Sequence, residues 1–125
     1  MKIELAKKEI IHFIGIGGIG MSGLSLIMKS KGFKVQGSDI SLNKNIERLR
    51  KEKIKIFISQ KKQNLRNATI VVISSAIKKN NPELVEARRK NLPIIKRGKM
   101  LAHIVSLMKN IVVVGSHGKT TTTSL

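Results

Sequence analysis

The chain has 125 residues, enough for one ordinary domain with its own core, and 41% of them are hydrophobic, as in globular sequences. It has no cysteine, which excludes a disulfide framework and a cysteine-ligated zinc site and fits a reducing, cytoplasmic setting. Lys and Arg number 25 against 7 Asp and Glu, a formal charge of +18 that is the usual footprint of a nucleic-acid binder. Against that, the chain has three Phe and no Tyr or Trp, so platforms for base stacking are scarce. The lysines are spread along the chain instead of gathered in one arm. A drift toward Lys, Ile and Asn, as an AT-rich genome imposes, accounts for the charge, and no nucleic-acid partner is expected.

Ile10–Ile14 (IIHFI) is a short apolar run ending in glycine and predicts a buried strand. The uncharged stretch from Ile10 to Met28 is long enough to span a bilayer. Five glycines punctuate it, so strand, tight turn and buried helix start explain it better, and no membrane insertion is expected. Met21 to about Ser30 predicts a helix with Leu24, Ile27 and Met28 on one face and Gly32 as its stop. Lys34–Ser38 predicts a second strand ending at Asp39, Ile46–Lys53 a short amphipathic helix, and Lys55–Ile58 an alternating strand. The polar stretch Gln60–Asn67 reads as a loop or weak helix. Ile70–Ile73 is another buried β-run and ends in Ser74, Ser75 and Ala76.

Asn81-Pro82 starts a helix whose apolar side carries Leu84, Val85 and Ala87, because proline suits the first helical turn. Ile94-Ile95 is a brief strand and Lys99–Met108 a further helix. Ile111–Val114 is then expected as a new strand leading into GSHGKTTTT. Strands alternating with helices predict an α/β fold: a Rossmann-like parallel sheet flanked by helices over residues 1–108, with residues 109–125 opening a second domain that this chain cannot complete.

Two glycine loops carry chemistry. The first is Gly15-x-Gly17-x-x-Gly20 between a strand and a helix. Glycines let the backbone turn sharply and approach a diphosphate, and the helix N-terminus offers free N–H groups and partial positive charge to that anion. Asp39 follows at the end of the next strand, where a ribose-binding carboxylate is expected. The fingerprint by itself does not separate a dinucleotide from a UDP-sugar, since both present a pyrophosphate and a ribose. The second loop is Gly115-Ser116-His117-Gly118-Lys119-Thr120. It is shorter than the common GxxxxGK[ST] pattern, yet its backbone N–H groups would cradle phosphates, Lys119 would reach the β/γ-phosphates, and Thr120 would ligate Mg²⁺. His117 either contacts phosphate or shapes the turn. His12, in a buried strand, and His103, on a helix, read as structural.

HFIGIGGIGMSGLS, the GSD of Gly37–Asp39, the VVISSAI of Val71–Ile77, the NPE of Asn81–Glu83 and the closing GSHGKTTTT together resemble the Mur ligases over nearly the whole chain. GGIGMSG and GxHGKTTTT are most similar to the branch that adds L-alanine; branches adding later amino acids typically carry Asn where His117 stands. The resemblance implies a Rossmann-like UDP-binding domain, a central ATPase domain and a C-terminal amino-acid-binding domain. It implies that ATP phosphorylates the carboxylate of UDP-N-acetylmuramate and that the amine of L-alanine attacks the acyl-phosphate. Carried onto this chain, Gly15, Gly17, Gly18, Ile19, Gly20 and Met21 would line the UDP pyrophosphate. Ser38 and Asp39 would lie near ribose and uracil, and Ser74, Ser75 and Ala76 would border the same crevice. Gly115, Ser116, His117, Gly118, Lys119, Thr120 and Thr121 would hold ATP. Two departures stand out. Gln60 occupies a position where the family often has histidine. The downstream Mg²⁺ ligands and the alanine pocket are absent, so this chain alone is expected to bind UDP-sugar without catalysis. The alternatives left open are an NAD-dependent oxidoreductase domain, from the first loop, and a basic nucleic-acid-binding module, from the charge.

Overall fold

In the computed structural model, which describes the backbone of residues 5–115 and the side chains of residues 5–108, strands and helices alternate along the chain. The order is β1 (Ile10–Ile14), α1 (Ile19–Ser30), β2 (Lys34–Asp39), α2 (Lys44–Lys51), β3 (Lys55–Ile58), a 3₁₀ turn (Lys62–Leu65), β4 (Ile70–Ile73), α3 (Pro82–Arg89), β5 (Ile94–Lys96) and α4 (Arg97–Gly115). The five strands form one sheet in the order β3-β2-β1-β4-β5, every pair parallel. This is the expected Rossmann-like architecture.

Parallel strands covered on both faces read as near-continuous apolar runs, and β1 shows why it is central. Ile11 and Phe13 enter the core shared with α1, α2 and α4, while Ile14 enters a smaller core beneath α3 and the 3₁₀ turn. All of them are fully buried. The run Ile10–Met28 is therefore strand, turn and helix. No helix among the described residues is long and apolar enough to cross a membrane.

Local signals set the helix ends. Gly32, at φ +94°, ends α1 in a left-handed turn that lets Phe33 N donate back to Met28 O. The Asn43 side chain caps α2 by accepting from Ile46 N, and Asn81 caps α3 by accepting from Glu83 N and Leu84 N, with Pro82 in the first turn. Helix faces came out narrower than the spacing implied. Leu24 and Met28 are buried but Ile27 is partly exposed, and Leu84 and Ala87 are buried while Val85 is exposed. In both helices the outlying residue falls on the flank of an apolar stripe that the sheet does not reach.

The C-terminal end departs from expectation. Ile111–Val114 is not a strand: α4 runs unbroken to Gly115. A strand needs a neighbour for its N–H and C=O groups, and no described strand pairs with this segment. A helix closes those bonds internally. The lower helix propensity of Ile and Val costs at most about 0.7 kcal/mol per residue, a small penalty beside closing every backbone bond within the segment.

Candidate functional site

The carboxyl end of β1 lies between strands reached in opposite directions along the chain, β2 on one side and β4 on the other. Parallel α/β sheets bind ligands at such switch points. The first glycine loop occupies this place. Gly15 turns the chain at φ +78°, and the N–H groups of Gly15 and Ile16 both donate to the Ser38 carbonyl at 2.9 Å. Gly17 N donates to Asp39 Oδ2 at 2.8 Å, while Asn45 Nδ2 donates to Gly17 O at 2.9 Å. A Cβ on Gly17 would stand 2.7 Å from Asp39 Oδ2. Gly17 is thus demanded by the loop's own packing on β2, a nearer constraint than the approach of a ligand.

The loop's outward edge is different. Gly18, Ile19 and Gly20 are exposed, and α1 starts at Gly18 without a side-chain cap or an acidic residue in its first turn. The first N–H groups of a helix have no intrahelical acceptor, so this end offers donors and partial positive charge at the mouth of the crevice. Arg97, the first residue of α4, lies across the same turn: a Cβ on Gly20 would be 2.9 Å from its Nε.

Two clefts open on either side. One, of about 530 Å³, lies at the carboxyl ends of β4 and β5 and is lined by Ser74, Ser75 and the basic Lys96, Arg97 and Lys99. The other, of about 570 Å³, lies between the carboxyl ends of β2 and β3 and the segment that leads from β4 into α3, and is lined by Asp39, Ile40, Gln60, Ala76, Ile77, Asn81 and Pro82 among others. The first has the charge to face an anion. The second has apolar walls with three amides, one carboxylate and the Lys78 ammonium.

Beneath the second cleft lies a buried polar cluster. Glu83, in the first turn of α3, is fully buried and accepts four hydrogen bonds. His12 Nε2 (2.7 Å) and Ser38 Oγ (2.6 Å) donate to Oε1; Asn64 Nδ2 (2.6 Å) and Lys61 N (3.2 Å) donate to Oε2. Gln36 fixes the histidine tautomer. Its Nε2 donates to the Asn64 carbonyl at 3.0 Å, which can only accept, and the same nitrogen faces His12 Nδ1 at 2.8 Å. Nδ1 is therefore the acceptor and Nε2 carries the proton. The cluster ties β1, β2, the 3₁₀ turn and α3 together directly behind the glycine loop.

The expected site residues divide accordingly. Gly18, Ile19 and Gly20 lie at the exposed mouth, while Met21 is buried in the core. Ser38 is fully buried with its hydroxyl spent on Glu83, so its side chain is turned away from the crevice. Asp39 lines the second cleft but uses one oxygen on Gly17 N and the other on Ile40 N (2.8 Å). Ser74 and Ser75 line the first cleft and Ala76 the second. His12 is structural, as expected. Of the second loop, Gly115 is the last residue of α4. Ser116, His117, Gly118, Lys119, Thr120 and Thr121 lie outside the described residues. Among the described residues no group of three His, Asp or Glu could hold a metal.

Arg97, Glu83, Gln36 and Asn64 escaped the sequence reading. Glu83 was legible in principle: it shares a helical face with Ala87, which puts a carboxylate on the buried side. His12 and Gln36 were too, as polar residues in two adjoining buried strands, paired in register. Arg97 left no local signal, since its contact with Gly20 is made only by the tertiary fold.

The model of the Mur ligase family, catalytic domain, matches residues 10–109. The UDP-N-acetylmuramate–L-alanine ligase of Pelagibacter ubique is 78% identical over all 125 residues of this chain, which match 27% of that protein. The Brucella ovis protein of the same name is 53% identical over 93% of this chain and 25% of its own length. The chain thus spans about a quarter of the length of these relatives. Among solved structures, the Thermotoga maritima UDP-N-acetylmuramate–alanine ligase superposes with a TM-score of 0.71 at 38% identity, over 81% of this chain and 23% of that one. A ligase acting on UDP-N-acetylmuramate and a tripeptide, L-alanyl-γ-D-glutamyl-meso-diaminopimelate, from Neisseria meningitides gives 0.72 at 28% identity, over 76% and 30%. With most of its length inside the family model and this sheet beneath the glycine loop, the chain belongs to the Mur ligase family.

Proposed function

We propose that these residues form the UDP-sugar-binding part of an ATP-dependent ligase that joins L-alanine to UDP-N-acetylmuramate in cytoplasmic peptidoglycan precursor synthesis. The observation that carries this reading is the uncapped start of α1, with Gly18, Ile19 and Gly20 exposed and the Arg97 guanidinium beside them, at the carboxyl end of the central strand. That arrangement supplies N–H donors, a helix dipole and a full positive charge to one anion, the requirement of a diphosphate. The names of the similar proteins support UDP-N-acetylmuramate as the diphosphate's bearer. Residues 1–108 are then the UDP-sugar domain, and residues 109–125 open the ATP-binding domain. There Lys119 would reach the transferred phosphate and Thr120 would hold Mg²⁺. The 125 residues alone are expected to bind without turnover.

Titration calorimetry of the chain with UDP-N-acetylmuramate, NAD and an RNA oligomer tests this reading. UDP-N-acetylmuramate is expected to bind most tightly. Gly18→Ala isolates the site, because its Cβ would meet only ordinary contacts, the nearest being Gly15 O at 3.5 Å, and its extended φ of −65° suits any residue. The methyl group holds the diphosphate off the backbone, so affinity should fall about tenfold, or about 1.4 kcal/mol, with an unchanged melting temperature. Equal affinity in Gly18→Ala, or tighter binding of NAD, would sink the assignment.

A further inference from the structure

Two amides of the buried polar cluster are only half used. Gln36 and Asn64 are 8% and 7% exposed. Gln36 Nε2 donates to the Asn64 carbonyl and faces His12 Nδ1, so the other atom of its amide is Oε1. Asn64 Nδ2 donates to Glu83 Oε2 at 2.6 Å and to the Ser59 carbonyl at 3.1 Å, so its remaining atom is Oδ1. Neither oxygen has a donor among the described residues. Buried acceptors are rarely left so, and here the space to hold a donor lies beside them. Both residues line a third cleft, of about 180 Å³, flanked by β2, β3 and the 3₁₀ turn. Two exposed cations share that lining: the Lys55 ammonium, 5.1 Å from the centroid of the Phe57 ring, and the Arg66 guanidinium.

We infer that this third cleft is a binding site for a small free α-amino acid. The lining argues against simpler occupants. A metal ion would be repelled by Lys55 and Arg66, and no carboxylate lines the cleft to outweigh them. A plain anion would pair with the cations but turn only acceptors toward Gln36 Oε1 and Asn64 Oδ1. An amine would donate to those oxygens but set a further positive charge against the two cations. An α-amino acid satisfies both ends. Its ammonium donates to the two buried amide oxygens, and its carboxylate accepts from Lys55 and Arg66 where the cleft meets solvent, in charge-assisted bonds. The cleft is far smaller than the two at the carboxyl ends of the strands, so it suits a short side chain, with the Phe57 ring as its apolar wall.

The test is an NMR titration of the whole chain with glycine, acetate and methylamine. Acetate is glycine without its ammonium, and methylamine is glycine without its carboxylate. Glycine should shift the amide signals of Gln36 and Asn64 saturably. Acetate and methylamine should each bind at least about tenfold more weakly, the effect of losing charge-assisted hydrogen bonds. Lys55→Met combined with Arg66→Met should weaken glycine binding by about tenfold or more. Both side chains are exposed, so the melting temperature should hold. If glycine gives no saturable shift, water alone satisfies the two oxygens and the inference falls. It falls too if acetate binds as tightly as glycine, which makes the cleft a plain anion site, or if the double variant keeps full glycine affinity. This cleft shares no lining residue with the two at the carboxyl end of the sheet, so the double variant should bind UDP-N-acetylmuramate unchanged. Failure of the glycine site therefore leaves the UDP-sugar reading standing.

Discussion

The two faces of the sheet are held by different physics. Beneath α1, α2 and α4 the contacts are apolar, with Phe13, Met28, Ile46, Leu49 and Met100 fully buried among aliphatic neighbours. Beneath α3 and the 3₁₀ turn the apolar core is small, and the space between it and the glycine loop is filled by His12, Gln36, Ser38, Asn64 and Glu83. Apolar burial is non-directional, so the first face resists loss of volume more than change of shape. Hydrogen bonds are directional and costly when unmade, so the second face fixes a register. That is also the face bearing the second cleft. Ser38 links the two roles: its hydroxyl bonds Glu83, and its carbonyl holds Gly15 and Ile16.

The largest effect is expected where the polar face is broken. Glu83→Leu removes the acceptor of four donors and leaves them buried, at about 1–3 kcal/mol for each donor that finds no other partner. Glu83→Gln is the sharper variant. It has the same shape, yet all four partners donate, so its amide nitrogen must confront a donor. Urea melts of both should show a large loss, together with weaker UDP-N-acetylmuramate binding as the glycine loop loses its support. A cost for Glu83→Gln below about 1 kcal/mol would show that shape, not hydrogen bonding, holds this face too.

On the apolar face, Met28→Ala is expected to cost about 3 kcal/mol, within the range for deleting a buried methionine side chain. The difference from Glu83 lies in function. Met28 packs on the far side of α1 from the crevice mouth, so nucleotide affinity in the folded state should hold. If Met28→Ala weakens binding as much as Glu83→Gln does, the two faces do not divide stability from site geometry.

This division also explains what could be read before the fold was known. The apolar face follows from periodicity: IIHFI, IVVI and the Leu24–Met28 spacing each announce a buried element, and all were found in place. The caps at Gly32 and Asn81 are local and equally legible. What escaped depends on partners distant in sequence. Glu83 sits 71 residues from His12 and 45 from Ser38. Arg97 reaches Gly20 only once β5 and α4 are placed. Ser38 was placed near ribose and uracil by the resemblance alone, whereas its side chain points into the polar cluster. Ile111–Val114 misled for the opposite reason, since its β-branched pattern favours a strand only when another strand is there to pair with it.

The smallest effect lies on α3 itself, which carries one carboxylate inward and one outward. Glu83 has four buried partners. Glu86, one turn on, pairs with Arg89 through two hydrogen bonds of 2.8 Å near solvent. The Arg89 guanidinium, by hydrogen bond first and then by charge, holds the Glu86 carboxyl below the ordinary glutamate range; partial burial opposes it, and Lys62 and Lys90 assist. A carboxyl whose folded-state pKa is lowered contributes stability that is fully present above its unfolded pKa and is lost as pH falls through the folded one. Arg89→Ala should therefore leave the urea midpoint at pH 7 only slightly lower. The gap from the unaltered protein should close as the pH drops below the glutamate range and should narrow with added salt at neutral pH. Glu83→Gln should keep its larger deficit in high salt, because the bonds it disrupts are buried beyond the reach of ions. If instead the Arg89→Ala deficit at neutral pH matches that of Glu83→Gln, the exposed pair carries as much of the fold as the buried one, and the contrast between inward and outward carboxylates on α3 is lost.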